Sequence, residues 1–175
     1  MNINRHNSNL AKGAIIAAVY AALTYGQEML FPGSASAAVQ FRVSEALTVL
    51  ALFTPAAIPG LTVGCAISNL VFMGALPLDV VLGSFATFLA AVCMNKLRDV
   101  TFKGIPFAAL VMPAIFNGVI IGLEIEIFFI EGPFHFVSFL TQGGFVALGE
   151  LGVCFTLGVM LYKVIKNKKL EKYIK

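Results

Sequence analysis

The chain is built from long apolar runs punctuated by proline, glycine and charge, and several of them reach the roughly 20 residues a helix needs to cross a bilayer. Composition agrees, because 59% of the 175 residues are apolar and 12% are charged. Soluble chains run at about 45–50% and about 25%. One core of this size cannot hide so much apolar surface from water. A soluble monomer, a disordered chain and a nucleic-acid binder relying on a basic face are thereby excluded.

The expected fold is an all-α integral membrane protein, a single transmembrane domain over 1–175 with helices at about 12–31, 44–53, 56–74, 78–96, 105–130 and 140–163. Residues 164–175 form a basic tail. Five segments have membrane length and the second does not, since residues 46–53 cover only about 12 Å as an α-helix. Either that helix is short with a polar entry, or its outer half carries Gln40, Arg42, Ser44 and Glu45 into the protein. Thr54-Pro55 and Pro59-Gly60 then allow a tight return into the third helix.

Lys and Arg orient the bundle. With the N-terminus inside, Arg5, Lys12, Lys96, Arg98, Lys103, Lys163, Lys166, Lys168, Lys169, Lys172 and Lys175 all face the cytoplasm, eleven of the 12 basic residues. Both termini are therefore expected in the cytoplasm, with an even number of spans. Arg42 is the one basic residue that topology leaves unexplained. Arg5, Lys12, the apolar stretch 13–23 and Ala35-Ser36-Ala37 imitate a secretory signal. That stretch is long for such a signal and residues 25–31 separate it from the small-residue site, so the segment is expected to stay as the first helix.

Ionisable groups within spans are costly and mark function. Thr24, Gln27, Glu28, Gln40, Arg42, Ser44, Glu45, Ser68, Asn69, Asp79, Glu124, Glu126, Thr141 and Gln142 nearly all belong to the outer halves of their helices, and Asn117 and Glu150 lie deeper. Asn117 and Glu124 are seven apart and share a helix face, whereas Glu126 is turned away toward the headgroups. Gln142, Val146 and Glu150 recur at four-residue spacing, which can carry a polar stripe inward. The inner halves are apolar. A channel needs a polar path through both leaflets, so the pattern fits a pocket open to the outside and closed beneath. Carboxylates with one guanidinium suit a polar organic ligand that donates hydrogen bonds or carries positive charge.

Simpler roles stay open for some of these residues. Asp79 follows Pro77 at a helix start, where an acid complements the dipole, and Arg42 and Glu45 are spaced to pair with each other. Glu28, Glu126 and Glu131 suit the interface, Asn95 a solvated helix end, and His135 an exposed loop. Cys65, Cys93 and Cys154 lie in apolar stretches without metal-ligand spacing and read as small packing residues. No phosphate loop, catalytic triad or metal cluster is present, so neither enzymatic activity, a cofactor, a metal nor unaided ATP hydrolysis is expected. No inverted repeat of broken helices is visible, which disfavours an independent secondary transporter. Ala14, Ala18 and Ala22 form a small-residue stripe that lets another helix approach, either inside the bundle or from a separate membrane subunit.

The run Gln40-Phe41-Arg42-Val43-Ser44-Glu45-Ala46-Leu47-Thr48-Val49-Leu50, followed by Leu52-Phe53-Thr54-Pro55 and Ala57-Ile58-Pro59-Gly60-Leu61, resembles the signature of the QueT family. Gly64-Cys65-Ala66-Ile67-Ser68-Asn69, Asp79-Val80-Val81-Leu82-Gly83-Ser84 and Gly149-Glu150-Leu151 agree with it, and the resemblance covers essentially the whole chain. It implies a substrate-binding (S) component of an energy-coupling-factor transporter, with six helices and an outward-facing pocket for a queuosine precursor, a deazaguanine. It further implies a bacterial cell membrane, a transmembrane coupling protein and two ATPase subunits that hydrolyse the ATP. By the same resemblance the Ala14, Ala18 and Ala22 stripe contacts the coupling protein, and residues 32–41 act as a gate.

A guanine-like edge presents adjacent N–H and NH2 donors that one carboxylate accepts together, and an aminomethyl group adds a cation. On that chemistry Glu124 or Glu150 takes the base edge, Asp79 or Glu45 meets the cation, and Asn69 and Asn117 read ring oxygen or nitrogen. Gln40 and Arg42 complete the expected site, Arg42 positioning a carboxylate or closing the gate. The competing functions are a self-sufficient small permease, an S component for another purine-like vitamin, and a membrane enzyme acting on a lipid, the last disfavoured by the missing metal-ligand pair.

Overall fold

A computed structural model describes residues 3–34, 41–72 and 77–174, which are helical with a single isolated bridge between Phe102 and Ile105. Among the described residues three stretches are long and apolar enough to cross a membrane: Pro77–Lys96, Phe107–Phe129 and Phe136–Asn167. The first is α3. The second joins α4 (Phe107–Leu110), α5 (Met112–Glu124) and a π-helical turn at Ile125–Phe129. Pro113, in the first turn of α5, lacks an N–H and so interrupts the ladder where a helix begins. The third joins α6 (Phe136–Val153), a second π turn at Cys154–Gly158 and α7 (Val159–Asn167), before the short α8 (Glu171–Ile174).

Helix α1 (Ile3–Leu30) starts well before the position near residue 12 expected from hydropathy. Its 28 residues rise about 42 Å, so it outlasts the hydrocarbon and carries the polar residues before Lys12 beyond it. Its buried face is Gly13, Ile16, Ala17, Tyr20 and Thr24, and Ala14, Ala18 and Ala22 look outward.

The short second segment is a 3-10 helix, Val43–Leu52. At about 2.0 Å per residue it reaches further than an α-helix of equal length. It packs on α1, α2 (Ala57–Phe72), α3, α6, α7 and the second π turn, which makes it the axis of the bundle. Ser44, Glu45, Thr48, Val49 and Ala51 on it are buried, so its outer half does carry polar groups into the protein. Asn95, expected at a solvated helix end, instead donates to the Ala51 carbonyl at 2.6 Å and satisfies one of the orphan acceptors that end a helix.

Two helix pairs close on glycine. α1 meets α2 where a Cβ on Gly60 would lie 2.7 Å from the Gly13 carbonyl oxygen, and α5 meets α6 where one on Gly122 would lie 2.7 Å from the Gly143 Cα. Backbones approach this closely only without side chains between them. Toward the end carrying 97–106, the core is apolar, with Leu52, Phe53, Leu61, Met94, Leu110, Tyr162 and Ile165 in one cluster.

Candidate functional site

Glycine contact between α1 and α2 brings Tyr20 against the start of the 3-10 helix, where its hydroxyl donates to Glu45 Oε1. One turn further along α1, Thr24 donates to Ser44 Oγ at 2.8 Å. Gln27 finishes the clamp: its Oε1 accepts the Val43 N–H at 2.8 Å, while its Nε2 donates to the Phe41 carbonyl and to Ser34 Oγ at 2.9 Å. The 41–45 stretch is thereby held to α1 by three side chains spaced three to four residues apart on one helix face.

This clamp fixes Arg42, which is 8% exposed and lies within electrostatic reach of Glu45, Glu150 and Glu124. Its Nη1 is 4.0 Å from Cys65 Sγ. On the far side, the α5–α6 glycine contact sets Asn117 beside Glu150, with Nδ2 to Oε1 at 3.4 Å. Asn69 on α2 donates to the Asp79 carbonyl oxygen at 3.2 Å and touches Cys65 Sγ at 3.7 Å. The Asp79 and Glu124 carboxyls stand within hydrogen-bonding reach of one another.

Arg42, Glu45, Asn69, Asp79, Asn117, Glu124 and Glu150 thus meet in one polar cluster inside an apolar bundle, with Asp79 half-buried and the rest buried. Gln40 lies outside the described residues. Ala14, Ala18 and Ala22 stand apart from the cluster, exposed on the opposite face of α1.

The charge in the cluster is unbalanced. Four carboxyls share the cluster with one guanidinium, and among the described residues Glu45 Oε2, Glu124 Oε1 and Glu150 Oε2 have no hydrogen-bond partner although buried. Unpaired buried acceptors are destabilising, by about 1–3 kcal/mol each and more when charged. Three such oxygens around one arginine make a site that accepts hydrogen bonds or takes a cation.

Several residues behave differently from expectation. Glu126, placed near the headgroups by helical phase, is buried because the 130–135 loop folds over it, and it accepts the His135 N–H at 2.8 Å. Cys65 is no plain packing residue, since its sulfur sits between Arg42 and Asn69. Tyr20, Thr48 and Thr87 join the buried polar set, and nothing in sequence distinguished them from core residues of helices. Gln142 is half-buried, so the stripe toward Glu150 continues to the rim.

Over residues 10–167 the chain matches a family model described as QueT transporter. The queuosine precursor transporter QueT of Lactococcus lactis subsp. cremoris (strain MG1363) is 32% identical over 170 residues, covering 91% of this chain and 93% of that protein. No solved structure matches the chain.

Proposed function

Because the chain belongs to the QueT transporter family, we propose that it is the substrate-binding component of an energy-coupling-factor importer, capturing a queuosine precursor of the deazaguanine class. It is a membrane transporter and not an enzyme.

The observation that carries this reading is the set of unpartnered carboxylate oxygens around Arg42. Glu150, with Asn117 beside it, is suited to the N–H and NH2 edge of a guanine-like base. Asp79 on α3 and Glu124 on α5, two neighbouring acids, suit an aminomethyl group. Arg42 opposes the charge of Glu45, Glu124 and Glu150, and ligand donors share that role on binding. Asn69, tied to the Asp79 backbone, fixes the α2–α3 wall.

We take six membrane-layer segments, counting the 3-10 helix as the second, and the distribution of Lys and Arg then favours both termini on the cytoplasmic side. In that arrangement the site opens outward and the exposed Ala14, Ala18 and Ala22 face is free for a coupling protein served by two ATPases. ATP is then consumed by those partners and not by this chain.

Native mass spectrometry of the detergent-purified chain with cyano, aminomethyl and free-base deazaguanines, and with unrelated vitamins as controls, tests the reading. A stable complex with at least one deazaguanine is expected, and binding to none of them would overturn it. ATP-independent uptake by proteoliposomes holding this chain alone would instead favour a self-sufficient permease.

A further inference from the structure

At the ends of the Phe107–Phe129 and Phe136–Asn167 spans, opposite the 130–135 loop that joins them, lies a cavity of about 430 Å³ lined by Lys103, Lys163 and Lys166 with Thr101, Asn167 and Tyr162. It contains no acidic lining residue. Lys166 reaches Glu171 at 3.6 Å, and the other two ammonium groups have no carboxylate within an ion-pair distance among the described residues. The neighbouring cavity differs, because Asp99 and Glu171 line it beside Arg98 and Lys166 and its charges are matched.

The turn bearing Lys103 is tightly held. Phe102 and Ile105 exchange backbone hydrogen bonds at 2.9 and 3.1 Å, and Lys103 and Gly104 both take positive φ, at 49° and 77°. A lysine in that region is uncommon and costs energy, so the backbone of the turn is held in a specific shape at Lys103, whose ammonium lies 5.7 Å from the centroid of the Phe102 ring. From the turn, an aromatic row runs along the spans, Phe102 to Phe107 at 6.3 Å between centroids and Phe107 to Phe155 at 5.9 Å. Phe102 and Phe107 are exposed on it.

We propose that this cavity binds the headgroup of an anionic phospholipid, with the phosphate among Lys103, Lys163 and Lys166 and an acyl chain along Phe102 and Phe107. Basic pockets between helix ends at a membrane surface attract anionic headgroups, and lysine serves phosphate as a point charge. The aromatic row favours a lipid over free phosphate, because a small anion gains nothing from an adjoining apolar track.

The test is native mass spectrometry of the full chain with phosphatidylglycerol, phosphatidylcholine and inorganic phosphate. Preferential retention of phosphatidylglycerol is expected, with a loss of about tenfold in Lys103→Gln/Lys163→Gln. Lys168→Gln/Lys169→Gln, outside the cavity, controls for net charge and should keep the preference. Phe102→Ala should weaken phosphatidylglycerol retention, and phosphatidylcholine retention by the lysine variant should match the parent if its fold is intact. Equal retention of the two lipids, displacement of phosphatidylglycerol by millimolar inorganic phosphate, or equal losses in both lysine double variants would each overturn the proposal. So would binding of an acidic peptide to the lysine triad in place of any lipid.

Discussion

Arg42 is surrounded by acids from three elements, Glu45 of the 3-10 helix, Glu124 of α5 and Glu150 of α6, and this position accounts for the one basic residue that falls outside the charge asymmetry read from sequence. Truncating one member of a buried charged set leaves the others uncompensated, at about 3–5 kcal/mol. Arg42→Gln should therefore lower the thermal unfolding temperature of the purified protein markedly, and an unchanged melt would show that the acids do not depend on it. Glu150→Gln and Glu124→Gln remove acceptors proposed for ligand donors. Each should weaken deazaguanine affinity in calorimetry by about tenfold or more, equivalent to about 1.4 kcal/mol. If affinity survived both changes, the ligand would lie elsewhere. Arg42, Glu124 and Glu150 were legible in sequence because a charge inside an apolar run has no ordinary explanation. Tyr20 and Cys65 were not, since a tyrosine or cysteine in such a run is ordinary core until a neighbour shows what it touches.

At the scale of elements, glycine decides how near the helices come. On α6, Gly143 faces the α5 backbone, whereas a Cβ on the adjacent Gly144 would meet nothing within 4 Å. Gly143→Leu should push α5 from α6, separate Asn117 from Glu150 and destabilise the fold by about 1–3 kcal/mol or more. Gly144→Ala should be close to neutral. Equal melting temperatures for the two variants would contradict the close approach. Hydropathy located the 3-10 helix as a short second segment but could not give its type or its place. That segment is central because five helices pack around it, a property of no single stretch of sequence.

Over the whole molecule, α1 serves two purposes with two faces. Tyr20 and Thr24 bind the 41–45 stretch, and Ala14, Ala18 and Ala22 remain exposed. Under the proposed importer mechanism, Ala18→Trp should leave ligand binding by the isolated chain unchanged. It should cut ATP-driven uptake with the partner module by about tenfold or more, the loss expected when an interface anchor is blocked. Full uptake by that variant would exclude the stripe as the docking face. Tyr20→Phe should do the reverse, weakening the site by about 1–3 kcal/mol through the acceptor left unpaired on Glu45, without touching the docking face.

Sequence by itself determined that this chain is a helical membrane protein, where its apolar segments lie, though not how far α1 extends before Lys12, and which charges are out of place in hydrocarbon. Those properties follow from local hydropathy and charge, which need no partner in space. Only the tertiary structure decided that Arg42, Glu45, Asp79, Glu124 and Glu150 form one cluster, that Tyr20 and Cys65 belong to it, and that Glu126 and Asn95 are spent on holding a loop and a helix end. The physical reason is that a buried polar group is defined by what satisfies it. Those partners come from helices separated by tens of residues and brought together by glycine contacts that hydropathy does not register.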